Sequence, residues 1–355
     1  MKRIGSRIGA SALDRATTQG TGVPHRLTRV RPLEQAVAVA GVVLAFSLVW
    51  MLRGPNYDFV YDWLSARAFI DGLDPYQTID VLTDAYGLTS ELQFIHPRIP
   101  GALVLLSPIG VLPFSMEYVA GRLLTVASAI GLAWIFARIS GLRVAAVLAL
   151  VPIALLVPPF SWVLAVSQTD FLIAALIGAT LLLVRDRDRI AAGIPLGLAV
   201  VLKLWAWPLG VALLLGRRWR AAGGLVATFT LLNLLGLSFP HVSIEGTLRA
   251  LDSAWLAHAS RSASTAGLLG ILPILLSTLL VVLMISWAIM RRDTSWEVFF
   301  IYSIPLSLIV APILWPRYTV SLLIPVAWFL SRQPTRHPAP NRPDLDHSSD
   351  HSSVI

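Results

Sequence analysis

The chain of 355 residues contains no cysteine. It therefore forms no disulfide, carries no thiolate nucleophile and offers no cysteine-ligated metal site. Charge is also scarce, at 14% of residues, where a soluble domain carries about 25%. Acids are the rarer sign, 20 against 28 lysines and arginines. What fills the chain instead is apolar: 56% of residues are hydrophobic and the mean hydropathy is +0.72. This composition excludes a large separate soluble domain and fits an all-α polytopic membrane protein. The net charge of +8 does not point to nucleic acid, because the basic residues sit in short clusters between apolar runs. Such clusters report topology and contact with anionic lipid.

Residues 1–32 hold seven basic residues and no signal-peptide core, and read as a disordered cytoplasmic tail. Residues 33–330 form the multi-span transmembrane domain, and the Pro-, Ser-, His- and Asp-rich residues 331–355 a second disordered cytoplasmic tail. The first expected span is Ala36–Leu52, leading out to an outer loop over 53–117. The run 101–114 is short, broken by Pro108 and Pro113, and reads as re-entrant or interfacial. Further spans are expected over 118–136, 144–157, 168–184, 225–237, 266–290, 298–313 and 320–330, with a second outer loop over 240–265. The run 191–215 is flanked on both sides by arginines, which favours a hairpin of two short helices bending near Lys203 and Pro208. No internal repeat is visible.

The acids are concentrated in one place. Residues 53–98 carry seven acids against three arginines. Within them Asp58 and Asp62 are four apart, on one face of a helix, beside an apolar stripe of Phe59, Trp63, Ala66 and Ile70. This predicts a short interfacial helix on the outer face, apolar side to lipid and carboxylates to a polar cavity. Gln168, Asp170, His96, His258, Arg261 and Arg317 fall on the same outer side, as does Lys203 if its segment is a hairpin. A lysine within an apolar run costs roughly 2.5–3.5 kcal/mol to insert, so Lys203 should face a cavity or a partner. A carboxylate facing cations at a membrane surface suits transfer from a lipid-phosphate donor: the acid deprotonates an acceptor hydroxyl, and Lys and Arg hold the phosphate. Each of these residues also has a plainer reading. Asp58, Gln168 and Asp170 can cap helices, Asp62 can be an ion-paired neighbour, the histidines can be loop residues, Lys203 can snorkel, and Arg261 can meet lipid headgroups.

The sequence resembles the polyprenyl-phosphate-mannose-dependent mannosyltransferases of glycosyltransferase family 87, over residues 36–330. The landmarks are Asp58-Phe59-Val60-Tyr61, Gly72-Leu73-Asp74-Pro75-Tyr76, His96-Pro97, Ser167-Gln168-Thr169-Asp170, Gly197-Leu198-Ala199 with Lys203, Arg217-Arg218-Trp219, Ser262–Gly267 and Ala311-Pro312-Ile313-Leu314-Trp315. The resemblance implies a GT-C transmembrane fold in the plasma membrane with an extracytoplasmic site. It also implies an inverting α-mannosyl transfer to a glycolipid or lipoglycan, with no metal or organic cofactor. It places the general base at Asp58, with Asp62 in reserve, and substrate-binding roles at Lys203, Arg317, Arg261, Gln168, Asp170, His96 and His258. Two departures stand out: Asp170 replaces the usual Asn, and Arg317 stands where the family tends to have His. A related enzyme using another sugar such as arabinose, and a lipid-linked glycan flippase, are the alternatives.

Overall fold

The structure is a computed structural model that describes residues 41, 57–88, 94–155, 160–258, 283, 295–309, 311 and 316–332. The expected N-terminal tail, all but Ser331 and Arg332 of the C-terminal one, nearly all of the first span and nearly all of 266–290 lie outside the described residues; Ser331 and Arg332 close the last helix instead of belonging to a tail. Among the described residues there is no β-strand, only one isolated bridge between Thr78 and Ile95. The helices, in chain order, are α1 (Tyr57–Asp71), α2 (Ile79–Ala85), α3 (Pro100–Gly110), α4 (Phe114–Ser140), α5 (Val144–Leu155), α6 (Phe160–Val166) and α7 (Asp170–Asp186). They continue as α8 (Ile190–Leu202), α9 (Pro208–Leu215), α10 (Trp219–Leu237), α11 (Ile244–His258), α12 (Trp296–Ile309) and α13 (Leu323–Ser331), with 3-10 turns over Leu204–Ala206 and Pro316–Leu322.

Among the described residues two helices are long and apolar enough to cross a membrane, α4 with 27 residues and α10 with 19. The others are shorter. Helix α3 has 11 residues, about 16 Å, against an apolar layer of about 30 Å.

The segment over 190–215 is two helices running in opposite directions. Ile190 lies against Gly224, Gly193 against Ala221 and Gly197 against Thr228, so α8 runs parallel to α10. Helix α9 ends at Leu215 and joins the start of α10 through only three residues, so it returns to the end from which α8 set out. Close approach requires the glycines: a Cβ at Gly193 would sit 1.7 Å from the Ala221 carbonyl oxygen, and one at Gly224 would sit 1.9 Å from that of Ile190. Lys203 occupies the bend in an extended conformation (φ −147°, ψ 111°), and Pro208 opens α9, where its missing N–H is no loss.

Helix α4 runs parallel to α7, with Ile135 and Ile139 against Gly178. The main core forms where α4, α7, α8, α9, α12 and α13 meet, around Leu132, Ile177, Leu196, Leu209, Phe300 and Ile324. Helix α1 lies across one end of this core. Its apolar stripe does not face lipid as expected. Phe59, Trp63 and Ala66 are buried against protein, and of the four stripe residues Ile70 alone is exposed. Gly121 of α4 admits the Phe59 ring, Gly110 admits the Ala66 backbone, and the Trp63 indole donates to the Leu112 carbonyl at 3.0 Å. A buried indole N–H needs an acceptor, and the end of α3 supplies one.

At the opposite end Glu297 accepts from Arg185 (3.1 Å), Arg332 (3.1 Å) and Trp328 (2.9 Å), tying together α7, α12 and α13. There Asp188 also accepts the backbone N–H of Ala221 at 2.9 Å, serving the first turn of α10. The arginine-rich turns thus share one end, and α1 lies at the other.

Candidate active site

Helix α1 presents Asp58 and Asp62 one turn apart on one face. Asp62 is 1% exposed, so the carboxylate does not look into an open cavity as expected. It is held by two groups from the loop before α3. The His96 Nε2 lies 2.8 Å from Asp62 Oδ1, and Arg98 Nε donates to the same oxygen at 2.6 Å. A tight turn in which the Arg98 N–H donates to the His96 carbonyl brings both side chains to one carboxylate. Burial alone would raise the Asp62 pKa. The Arg98 charge and the hydrogen bonds from His96 and Arg98 outweigh it and hold the carboxyl well below its usual range.

The second group stands on the α8–α9 bend. Lys203 Nζ donates to Gln168 Oε1 at 2.8 Å and to Asp170 Oδ1 at 2.7 Å. Arg317, from the 3-10 turn before α13, approaches the other Asp170 oxygen at 3.5 Å. The Lys203 ammonium also sits 4.2 Å from the centre of the Tyr318 ring, on which Trp205 stacks with centroids 6.1 Å apart. The two groups touch. Arg98 uses its Nη1 to donate to the Leu202 carbonyl at 3.1 Å, the residue before Lys203. One continuous polar cluster therefore runs from α1 through His96 and Arg98 to Lys203, Gln168, Asp170 and Arg317. Asp170 and Arg185 are fifteen residues apart on α7, so this cluster lies about 22 Å from the Glu297 node.

Of the residues singled out from sequence, the structure brings together Asp62, His96, Gln168, Asp170, Lys203 and Arg317. Asp58 is placed by its helix position. His258 is the last residue of α11, and Arg261 lies outside the described residues. Sequence reasoning missed Arg98, although it stands two residues after His96. It also missed Glu117, the single acid between Glu91 and Asp170. Glu117 is 2% exposed, sits in the first turn of α4, lies within electrostatic reach of Asp62 and Arg122, and has an Oε1 without a hydrogen-bond partner. An acid alone in an apolar stretch is itself a signal of function. Among the described residues no group of three or more His, Asp and Glu could hold a metal ion.

The model of glycosyltransferase family 87 matches residues 94–312, more than half of the chain. The matched stretch contains His96, Arg98, Gln168, Asp170 and Lys203, whereas Asp58, Asp62 and Arg317 lie outside it. No curated protein and no solved structure matches the chain. With its apolar composition, its helices long enough to cross a bilayer and this match, the chain belongs to glycosyltransferase family 87 and is a membrane glycosyltransferase.

Proposed function

We propose that the protein transfers a hexose, mannose by family resemblance, from a polyprenyl-phosphate donor to a glycolipid or lipoglycan acceptor. The transfer takes place at the extracytoplasmic face of the plasma membrane, within a multi-pass GT-C bundle. The observation that carries this reading is the joined pair of carboxylate–cation groups: Asp62 with His96 and Arg98, bonded through Leu202 to Lys203 with Asp170 and Arg317. It supplies cations for a leaving phosphate beside a helix that carries a second carboxylate. The charge pattern supports the orientation, because the arginine-rich turns lie at the far end and basic turns favour the cytoplasm.

In the mechanism Asp58 takes the proton of the acceptor hydroxyl as its oxygen attacks the anomeric carbon. The bond from that carbon to the phosphate oxygen breaks, and its electron pair leaves on the polyprenyl phosphate. Lys203 and Arg317, with Arg261, stabilise the phosphate charge. Attack from the face opposite the phosphate inverts the anomeric centre. Asp62 is a poor base, since Arg98 and the hydrogen bond from His96 already hold its charged form, and this favours Asp58. His96 serves by orienting Asp62, and Gln168 and Asp170 by holding Lys203. His258 is assigned to the acceptor.

The test is sugar transfer by the purified protein in nanodiscs, given radiolabelled polyprenyl-phosphate mannose and a membrane glycolipid extract. Labelled glycolipid from the wild type and none from Asp58→Asn is the expected result. Transfer from an arabinose donor alone would change the sugar, and failure with mannose, arabinose and glucose donors would overturn the reading.

A further inference from the structure

The loop that opens α7 withholds hydrogen-bonding groups that proteins normally use. Ser167 and Thr169 are 1% and 4% exposed, yet neither hydroxyl has a partner. Thr169 is the residue before α7, where a threonine hydroxyl ordinarily caps the first turn, and here it makes no capping bond. Ser167 holds a left-handed backbone (φ 45°), a conformation unfavourable for a serine and one that recurs where a site dictates the chain path. Two residues beyond Lys203, the buried Trp205 indole N–H is likewise without a partner. Leaving a buried donor unsatisfied is costly, so three of them within two residues of Gln168 or Lys203 call for an acceptor.

Each of these residues adjoins a group that touches the same ammonium. Gln168, between the two hydroxyls, accepts from Lys203, and Trp205 stacks on the ring over which Lys203 sits. The indole can only donate, and each hydroxyl can donate. Lys203 and Arg317 against Asp170 leave the cluster with one net positive charge. Three neutral donors beside a net cation suit an oxyanion rather than a sugar hydroxyl.

We propose that Ser167, Thr169 and Trp205 form a neutral hydrogen-bond cradle for a non-bridging oxygen of the donor phosphate, beside Lys203. This rests on the reading of Lys203 and Arg317 as the phosphate site. The cations neutralise the phosphate, and the cradle fixes its orientation, so that the leaving oxygen lines up with the anomeric carbon.

The experiment compares binding of a short-chain isoprenyl phosphate and the isoprenyl alcohol of equal length to the full chain in nanodiscs. Wild type should prefer the phosphate. Ser167→Ala and Thr169→Val should each weaken phosphate binding roughly tenfold and leave alcohol binding unchanged. Ser167→Gly separates ligand contact from backbone strain. It should melt no lower than wild type, because glycine accepts φ 45°, and still bind phosphate as weakly as Ser167→Ala. If wild type prefers the phosphate but the variants bind it normally, the cradle is wrong and the phosphate site stands. If wild type does not distinguish phosphate from alcohol, the phosphate site fails and the cradle with it.

Discussion

Replacing Asp62 by asparagine tests whether this carboxylate organises the site or performs its chemistry. The substitution keeps the shape and removes the charge. Arg98, whose side chain is 9% exposed, is then left in the interior without its counter-ion, and His96 faces a neutral amide in place of a carboxylate. Removing one member of a buried pair costs about 3–5 kcal/mol, because the remaining charge is stranded. At roughly 2–4 °C per kcal/mol for a large domain, melting should fall by about 6–20 °C. Loss of activity should accompany that fall, since Arg98 also holds the Leu202 carbonyl beside Lys203. Asp58→Asn should do the reverse, melting within about 0.5 kcal/mol of wild type while abolishing transfer. The assay is thermal unfolding in detergent alongside initial rates of transfer. Adding Arg98→Met to Asp62→Leu should recover much of the stability that either change alone removes, giving a coupling of about 1–3 kcal/mol. A normally stable Asp62→Asn protein without activity would refute this reasoning and move the base to Asp62.

Other consequences are open to direct measurement. The Asp62 carboxyl is held below its usual range, so its stabilisation is complete above the unfolded value of about 3.9 and fades as pH falls through the lower folded value. The melting difference between wild type and Asp62→Asn should therefore stay flat above about pH 5 and shrink below about pH 4. Lys203→Met should raise the KM for the donor at least tenfold, and Lys203→Arg should not restore it, because a planar guanidinium does not replace an ammonium bonded to both Gln168 and Asp170. Gly224→Ala places a methyl 1.9 Å from the Ile190 carbonyl oxygen and should destabilise by about 1–3 kcal/mol. Gly223→Ala meets nothing within 4 Å and should be neutral or stabilising by up to about 1 kcal/mol, both read from melting. Glu117→Gln should preserve the fold and change the rate of transfer, as befits a carboxylate beside Asp62 that lacks a hydrogen bond at Oε1. An unchanged rate would assign Glu117 to the helix terminus alone.

The hairpin over 190–215 was legible because its signal is local. Arginines on both flanks require the chain to return to the end it left, and Lys203 and Pro208 mark where it turns. Lys203 and Asp170 stood out as candidates for a similar reason, since charge is rare enough in this chain for each instance to draw notice. The resemblance to family 87 was carried by motifs whose order survives in the sequence, and the family match covers most of them.

The environment of α1 was not legible. Its stripe of Phe59, Trp63 and Ala66 has the period of a helix with one apolar face, and periodicity cannot say whether that face meets lipid or protein. Gly110 and Gly121, roughly fifty residues further on, decided for protein by letting α3 and α4 approach. The pairing of Asp62 with His96 and Arg98, and of Asp170 with Lys203 and Arg317, joins residues 33 to 147 positions apart. By itself the sequence determined the apolar helical character, the basic and acidic ends and several of the charged residues that the fold brings together. Only the tertiary structure decided which carboxylate is neutralised by its neighbours, because that depends on contacts between distant segments, which local pattern does not encode.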